Sequence, residues 1–254
     1  MIIIILGVLC LVFFIENARE LRTFRIRTYR IFSHKLKGIQ KKRIVFLSDL
    51  HNCSYGKNNG RLLAAVRRSR PDLILIGGDM LVRKNGTSYA KTLKFLTRLT
   101  AMCPVYYANG NHEQKLKEEP ERYEQSYAAY KKYLEEAGII FLENEAVIWK
   151  PDGVRIRISG LEIPLSAYEK LGKRKLSVRQ IEDRIGRSDP SYQILLAHNP
   201  AYVQQYEPGG QILFCPATSM AVWLAFHGSA ESFPRISVCF PHIPQVFTGI
   251  RKQM

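Results

Sequence analysis

The chain has 254 residues, 46% of them apolar, which is enough for one sizeable globular domain and excludes a disordered chain. Its five cysteines include no C-x-x-C pair, so a disulfide framework is not expected. The net charge of +16 favours a negatively charged partner, such as an anionic membrane surface or a phosphorylated small-molecule or lipid substrate. No nucleic-acid recognition motif accompanies this charge, and we expect no nucleic acid as a partner.

The N-terminus carries an unbroken apolar run, Ile2–Ile15, that ends at Glu16. A bilayer crossing needs about 20 such residues, so we predict a short membrane anchor over residues 1–16, with a buried core helix as the alternative. A signal peptide is not indicated, because the run lacks a basic start and a cleavage site of small residues.

Residues 17–42 are strongly basic and are predicted to form a linker with an edge strand at Arg25–Ile31. Cationic side chains next to an anchor would lie against anionic headgroups, at roughly 1 kcal/mol each. They also favour a cytoplasmic location for the domain that follows. A solvated linker is the alternative, and it is compatible with the anchor.

The first predicted strand of the domain, Arg43–Leu47, is followed at once by S-D-L-H. In an extended segment the side chains of Asp49 and His51 point to the same side. A carboxylate and an imidazole in that arrangement form a pair of metal ligands. A helix cap is the alternative role for Asp49, because Arg61–Arg70 then shows helical periodicity, with Pro71 just past its end.

A second predicted strand, Pro71–Ile76, ends in G-G-D, so that Asp79 lies at the sheet edge. The alternative is that Asp79 is a simple turn residue. Tyr89–Leu99 follows as a second amphipathic helix. The order of strand, helix and strand predicts a parallel sheet.

The third strand and its turn read V-Y-Y-A-N-G-N-H-E over Val105–Glu113. Gly110 permits a sharp reversal, which predicts a loop containing Asn111, His112 and Glu113 above the carboxyl edge of the sheet. His112 alone could be a satisfied loop histidine. Three motifs at the same edge of one sheet instead favour a common site.

These motifs resemble the signature of the calcineurin-like metallophosphoesterases, over roughly Lys41 to Tyr206. The motifs S-D-L-H and G-N-H-E, together with a short basic apolar N-terminus, are similar to those of the membrane-associated bacterial branch. That branch includes relatives acting on phosphorylated lipids or nucleotide-linked lipid precursors. The resemblance implies an α/β fold, a four-layer α/β/β/α sandwich holding two divalent metal ions.

The resemblance also implies the ligands. Asp49 and His51 would bind the first metal, Asp79 would bridge both, and Asn111 would bind the second through its amide oxygen. Two cations about 4 Å apart need a shared anion, which a bridging carboxylate supplies. Mixed nitrogen and oxygen ligands suit Mn, Fe or Zn better than Mg or Ca.

Two further histidines receive roles from the resemblance. His112 would be the acid that assists the leaving group. His198 ends a predicted buried strand in Gln193–Pro200 and would be a ligand of the second metal. A satisfied core histidine is the alternative for His198.

The middle of the chain is predicted to complete the sandwich. Pro120–Gly138 is predicted to be a helix, and Ile139–Trp149 and Val154–Leu161 two strands that start the second sheet. Ser166–Gly186 is predicted to be mostly helical. Its basic residues are either a landing site for anionic headgroups or a solvated face: Lys170, Lys173, Arg174, Lys175 and Arg179.

The pattern breaks after Tyr206. The family pattern continues with a Gly-x-Asp-Leu strand and a Gly-His-x-His motif, and both are absent; His227 and His242 lack the spacing. We therefore predict a phosphoesterase domain at residues 43–208 and an aberrant tail at 209–254. The chain then holds about five of seven expected protein ligands, which weakens metal binding.

A slip of the coding frame near Glu207–Gly209 would explain the break. In another frame Pro216–Val222 can read S-G-H-L-H-G-G, and Gly209–Cys215 can read W-G-A-D-L-I-L. Sequencing the gene tests this hypothesis. We expect the chain as written to lack the strands that close the second sheet, to be poorly stable, and to be weakly active or inactive.

The sequence as a whole predicts a metal-dependent phosphoesterase acting through metal-activated hydroxide on a phosphomonoester or on a phosphodiester or pyrophosphate bond. The expected substrate is lipid-linked or nucleotide-linked and lies at the membrane surface. The alternative is a non-catalytic relative that binds membranes or phosphorylated ligands. Metal content and p-nitrophenyl phosphate turnover separate the two.

Overall fold

The computed structural model describes residues 7–13, 15, 23–29, 31, 33–168, 176–199, 202–206, 212–214 and 236–241. Several predictions lie outside these residues: the basic cluster at positions 170–175, the reframed segment Pro216–Val222, and both His227 and His242. Within the described part of the chain, no helix is long and apolar enough to cross a membrane.

The first sheet has four parallel strands in the order β2–β3–β4–β5: Ile44–Leu47, Leu73–Ile76, Val105–Tyr107 and Ile139–Phe141. Every residue of β2, β3 and β4 is buried, because the sheet is covered on both faces. The predicted parallel sheet is therefore confirmed.

Helices cover the outer face of this sheet. They are α1 (Gly60–Ser69), α2 (Ala90–Thr97), α3 (Asn111–Glu118) and α4 (Tyr127–Glu136). Their buried apolar side chains form one core with the sheet. Helical connections return the chain to the edge of the sheet where the next strand begins. The carboxyl ends of the four parallel strands therefore lie together at the other edge.

Two predicted boundaries differ from the structure. The helix predicted from Pro120 begins only at Tyr127, because the Ser126 side chain accepts the backbone N–H of Ala129 and caps it there. The segment predicted as one strand, Ile139–Trp149, is divided between the two sheets. Asn144, with φ 57°, bends the chain at the crossing.

The second sheet has the order β6–β7–β8–β9: Glu145–Trp149, Ile156–Leu161, Tyr192–Ala197 and Ile212–Phe214. The pair β6–β7 is antiparallel and the other two pairs are parallel. The two sheets pack face to face, as Phe46 and Leu75 do against Ile158 and Leu196.

The outer face of the second sheet is covered by α5 (Val178–Ile185) and the short α6 (Val203–Tyr206). The predicted four-layer α/β/β/α sandwich is thus confirmed. The segment Ser166–Gly186 is helical from Val178 onward, after a 3-10 turn at Leu165–Ala167.

A two-stranded ribbon lies beside β2. Its strands are β1 (Phe24–Tyr29) and β10 (Ile236–Pro241), which pair antiparallel, and β10 is the neighbour of β2. The predicted edge strand at Arg25–Ile31 is confirmed with slightly different bounds. The tail was expected to lack the strands that close the second sheet, but it supplies strands. Ile212–Phe214 pairs with β8, and β10 pairs with β1.

Candidate metal centre

The six residues predicted from sequence lie together at one edge of the sandwich. They follow the carboxyl ends of β2, β3, β4 and β8: Asp49, His51, Asp79, Asn111, His112 and His198. Ligand atoms fall into two groups of three within 4.8 Å of one another, and both groups share Asp79. This sharing places Asp79 where a bridging carboxylate belongs.

The Asp79 carboxylate is almost fully buried, and imidazoles converge on one of its oxygens. Oδ2 lies 3.1 Å from His51 Nε2 and 3.2 Å from His198 Nε2. His112 Nε2 is farther, at 3.9 Å. Carboxylate oxygens and imidazole nitrogens crowded in this way form a donor set suited to a divalent transition metal.

The grouping of these side chains differs from the ligand assignment that the resemblance implied, and that assignment stays a prediction. The sequence analysis placed Asp49 and His51 on one metal and His198 on the other. The structure instead groups Asp49 with His198, and His51 with His112, around Asp79. The reason is local backbone geometry: Asp49 and His51 adopt left-handed conformations, with φ 55° and 47°, and not the extended one that alternation assumes.

Hydrogen bonds between the loop after β2 and the loop after β3 stabilise this left-handed backbone. Asp49 N–H donates to the Gly78 carbonyl and His51 N–H to the Asp79 carbonyl, each at 3.0 Å. Asp79 also has a positive φ, of 52°. Left-handed non-glycine residues cost about 1–3 kcal/mol each, and they concentrate at functional sites where the surroundings enforce them.

Two glycines allow the loops after β3 and β4 to touch. A Cβ on Gly78 would lie 2.1 Å from the Gly110 nitrogen, and a Cβ on Gly110 would lie 2.2 Å from Asp79 Oδ1. Both distances are far shorter than van der Waals contact. The glycines of the G-D and G-N-H-E motifs are therefore required for the close approach.

The segment predicted as a loop, Asn111–Glu113, is the first turn of α3. The backbone N–H of His112 donates to Asp79 Oδ1 at 2.8 Å, so the free amide end of the helix stabilises the carboxylate. Glu113 allows the helix to start here, because its Oε2 accepts the Gly110 N–H at 3.0 Å. Sequence reasoning gave Glu113 no role, although its place three residues into a helix was the available signal.

The Asn111 amide lies between the carboxylate and the helix. One end is 3.3 Å from Asp79 Oδ2 and the other is 3.2 Å from the His112 nitrogen. With nitrogen toward Asp79 the amide makes two ordinary hydrogen bonds. With oxygen toward Asp79 it faces another acceptor, which is favourable only when a cation lies between them.

His198 is oriented as a metal ligand. It is buried, and its Nδ1–H donates to the Gly77 carbonyl at 2.7 Å, which directs Nε2 at the carboxylates. Burial lowers the pKa of His198, but Asp79 and Asp49 outweigh it and raise the pKa to about 10. Burial likewise raises the pKa of Asp79, and His198 and His51 bring it below its ordinary value.

His112 differs in its protonation state. The backbone N–H of Arg83 donates to His112 Nδ1 at 3.0 Å, so Nδ1 is an acceptor and the ring proton sits on Nε2. Burial lowers the pKa of His112 to about 4, although Asp79 opposes this. His112 is therefore a neutral ring with an Nε2–H donor here, and its role as the acid that assists the leaving group stays a prediction.

Arg83 contacts His112 through its backbone N–H, and sequence reasoning missed this residue. Its Nη1 is buried and has no hydrogen-bond partner among the described residues. The positive charge of Arg83 also helps to lower the pKa of His112. The only available signal was its position four residues after Asp79.

A polar network joins the two sheets next to the centre. Asn109 Nδ2 lies 3.0 Å from both Glu143 Oε1 and Glu162 Oε1. Lys117 Nζ lies 3.2 Å from Glu143 and 2.7 Å from Glu162, and Lys131 Nζ lies 2.7 Å from Glu143. Burial raises the pKa of Glu143, but these lysines bring it down to about 2.

The chain belongs to the calcineurin-like phosphoesterase family, whose sequence model matches residues 42–228. It is 30% identical over 164 residues to the uncharacterized metallophosphoesterase YkoQ of Bacillus subtilis (strain 168), covering 63% of this chain and 58% of that protein. It is 24% identical over 160 residues to the phosphodiesterase YaeI of Escherichia coli (strain K12), covering 62% and 53%. The chain thus spans little more than half the length of either relative.

A solved structure is also similar. The phosphopantetheinyl hydrolase PptH of Mycobacterium tuberculosis superposes with a TM-score of 0.48 and 14% identity. The superposition covers 78% of this chain and 89% of that one.

Proposed function

We propose that this protein hydrolyses a phosphate ester at a membrane surface with two divalent cations. The observation that carries the proposal is the pair of three-ligand groups that share the buried Asp79. Family membership supports the same chemistry. The proposed ligands are those predicted from sequence: Asp49, His51, Asp79, Asn111 and His198.

The residues present fit the cations. His198 donates its Nδ1–H to the Gly77 carbonyl, so Nε2 is the ring nitrogen that would bind a cation once its proton is displaced, and Asn111 can turn its oxygen toward Asp79. The donors are nitrogen and oxygen, which suits Mn, Fe or Zn. When bound, such a pair of cations activates a water molecule and neutralises phosphoryl charge.

The chain's own donors would position the substrate. The free Nη1 of Arg83 binds a phosphoryl oxygen, and the neutral His112 donates its Nε2–H to the leaving oxygen. A hydrogen bond there stabilises the charge that develops as the bond breaks, without requiring a protonated histidine.

The membrane part of the proposal rests on the N-terminal region. Residues 7–13 are helical, and their side chains are exposed, including Leu11 and Phe13. An exposed apolar helix followed by a basic segment is suited to enter a bilayer with anionic headgroups on its cytoplasmic face. A lipid-linked or nucleotide-linked phosphate is then the expected substrate.

A non-catalytic, ligand-binding relative is the second candidate, favoured by one observation. The sequence has no Gly-His-x-His motif after Tyr206, so fewer protein ligands than the family pattern supplies are available. Such a protein would bind membranes or phosphorylated ligands with little turnover.

The test is turnover by the full chain after reconstitution with Mn²⁺, Fe²⁺ or Zn²⁺. We expect hydrolysis of p-nitrophenyl phosphate or bis-p-nitrophenyl phosphate that Asp79→Asn abolishes together with metal binding. Asp152→Asn, on the protein surface, is the matched control. Metal binding without turnover by the unaltered chain would support the second candidate. A panel of phospholipids and nucleotide-linked lipids then identifies the substrate.

A further inference from the structure

We infer that the candidate metal centre faces the membrane, because β1 brings the N-terminal segment to the edge of the domain that carries the ligands. The inference rests on the proposed function and adds an orientation to it. The phosphate ester would be attacked at headgroup level while the rest of the substrate stays in the lipid.

The first step is to establish what the surface of the N-terminal helix binds. Its large apolar residues are each at least half exposed: Val8, Leu9, Leu11, Val12, Phe13 and Ile15. Successive helical residues are turned by about 100°, so this set surrounds the helix and does not form a single stripe. A surface that is apolar on all sides fits lipid chains and not a groove on a protein.

The second step is where the chain enters the domain. Phe24, the first residue of β1, packs edge to face on Tyr55, with ring centroids 5.2 Å apart. Tyr55 is in the loop between β2 and α1, four residues after His51, and so lies at the ligand edge. After β1 the chain passes through Ile31, in the core between the two sheets, and leads to Ile44, which starts β2 at the edge opposite the ligands.

The chain therefore runs along β1 from the ligand edge toward the opposite edge. Seven residues, 16–22, connect the exposed helix to the start of this region. At about 3.5 Å each they span at most about 25 Å. A domain of this size is about 45 Å across, so the connection is too short to carry the helix around to the far side.

Charge at the ligand edge agrees with this orientation. Lys57 and Arg61 follow Tyr55 closely in the chain and are exposed, and the Arg61 side chain lies over Gly56. Neither has an ion-pair partner within the described part of the chain. Cations at this position would meet anionic headgroups next to the site.

The far edge offers the competing surface. Arginines at the C-terminal ends of α1 and α2 line a depression of about 490 Å³: Arg67, Arg68, Arg70 and Arg98. By charge alone this depression could bind an anionic membrane. The entry point of the chain assigns it to the side facing away from the bilayer.

The test compares Lys57, in the turn just before α1, with Arg68, near the C-terminal end of α1. A bimane label is attached to Lys57→Cys or Arg68→Cys in full-length protein whose five native cysteines are replaced by alanine. Both positions are exposed, so both labels leave the core intact. The labelled proteins are mixed with phosphatidylcholine–phosphatidylglycerol vesicles (3:1) that carry a nitroxide on the headgroup.

We expect at least threefold stronger quenching at position 57 than at position 68. Equal quenching, stronger quenching at position 68, or failure to sediment with the vesicles would each overturn the inference. Hydrolysis of soluble p-nitrophenyl phosphate is measured on the same samples. Because quenching does not depend on turnover, a failure of the proposed catalysis is seen separately from a failure of the orientation.

Discussion

The carboxylate of Glu113 accepts the backbone N–H of Asp79, with 2.8 Å between Oε2 and the nitrogen. The same side chain accepts the N–H groups of Met80 and Gly110 and the hydroxyl of Tyr107, at 2.9, 3.0 and 2.8 Å. One fully buried side chain thus fixes the loops after β3 and β4 relative to each other. Glu113 therefore helps to hold the loops that carry the proposed ligands in place.

Replacing Glu113 by glutamine is expected to weaken both the fold and metal binding. The amide group would turn a donor toward the N–H groups that now donate, so buried donors lose their acceptor. We expect a loss of about 2–3 kcal/mol in the free energy of unfolding. Metal affinity should fall by roughly 10- to 100-fold. Urea unfolding and metal titration measure the two, with the exposed Glu121→Gln as control. Unchanged values for both would contradict this role.

Metal binding is expected to release close to one proton per chain at pH 7 from His198. The pKa of His198 in the metal-free protein is raised to about 10, so its ring is protonated at pH 7. A cation must displace that proton, and the metal affinity therefore rises with pH up to about 10.

Calorimetric titration in two buffers of different ionisation enthalpy measures the released protons. His198→Asn should reduce the release. Identical binding enthalpies in both buffers would show that His198 is already neutral.

Substitutions of His112 should distinguish a hydrogen-bond donor from a proton donor. His112→Ala removes the Nε2–H and is expected to lower kcat by about 100-fold. His112→Asn restores an N–H donor that cannot act as an acid, and should recover part of the loss. If the asparagine variant were as inactive as the alanine variant and a basic limb of the pH–rate profile disappeared in both, a protonated His112 would be the better explanation.

Arg83→Lys is expected to raise KM about tenfold with a smaller effect on kcat. The free Nη1 is lost, while the backbone N–H that holds His112 remains. Lys84→Gln, at the next and exposed position, should leave KM unchanged. A KM that stays constant in Arg83→Lys would remove this residue from the substrate site.

Glu143 should contribute stability that depends on pH. Its folded pKa of about 2 is below the ordinary value of 4.5, so the stabilisation is present above pH 4.5 and lost as pH falls toward 2. At neutral pH it is worth at most about 3 kcal/mol, and less to the extent that solvent screens these ion pairs. Glu143→Gln should flatten the dependence of unfolding free energy on pH between 5 and 2. Glu145→Gln, on an exposed side chain, should keep the dependence of the unaltered protein.

The sequence predicted the architecture because its local patterns agree with the fold. Buried runs such as Leu73–Ile76 alternate with amphipathic helices such as Gly60–Ser69, and the structure has both. The predicted helix boundaries were less accurate where a single side chain decides where the helix begins. Ser126 delays one helix and Glu113 advances another, and neither effect is visible in apolar periodicity.

The polar network beside the centre was out of reach for sequence reasoning. Glu143 and Glu162 follow strands of different sheets, and Asn109 joins them from a third strand. Each looks like an ordinary charged or amide residue in its own segment. Only the packing of the two sheets brings them within hydrogen-bonding distance.

The sequence by itself determined which side chains reach the ligand edge, because the carboxyl ends of parallel strands converge there whatever the details of the loops. Only the tertiary structure decided how they are grouped. Asp49 meets His198, and His51 meets His112, because left-handed backbone and contacts between loops about 30 residues apart turn the side chains around Asp79. Those contacts depend on three-dimensional proximity, which no local pattern contains.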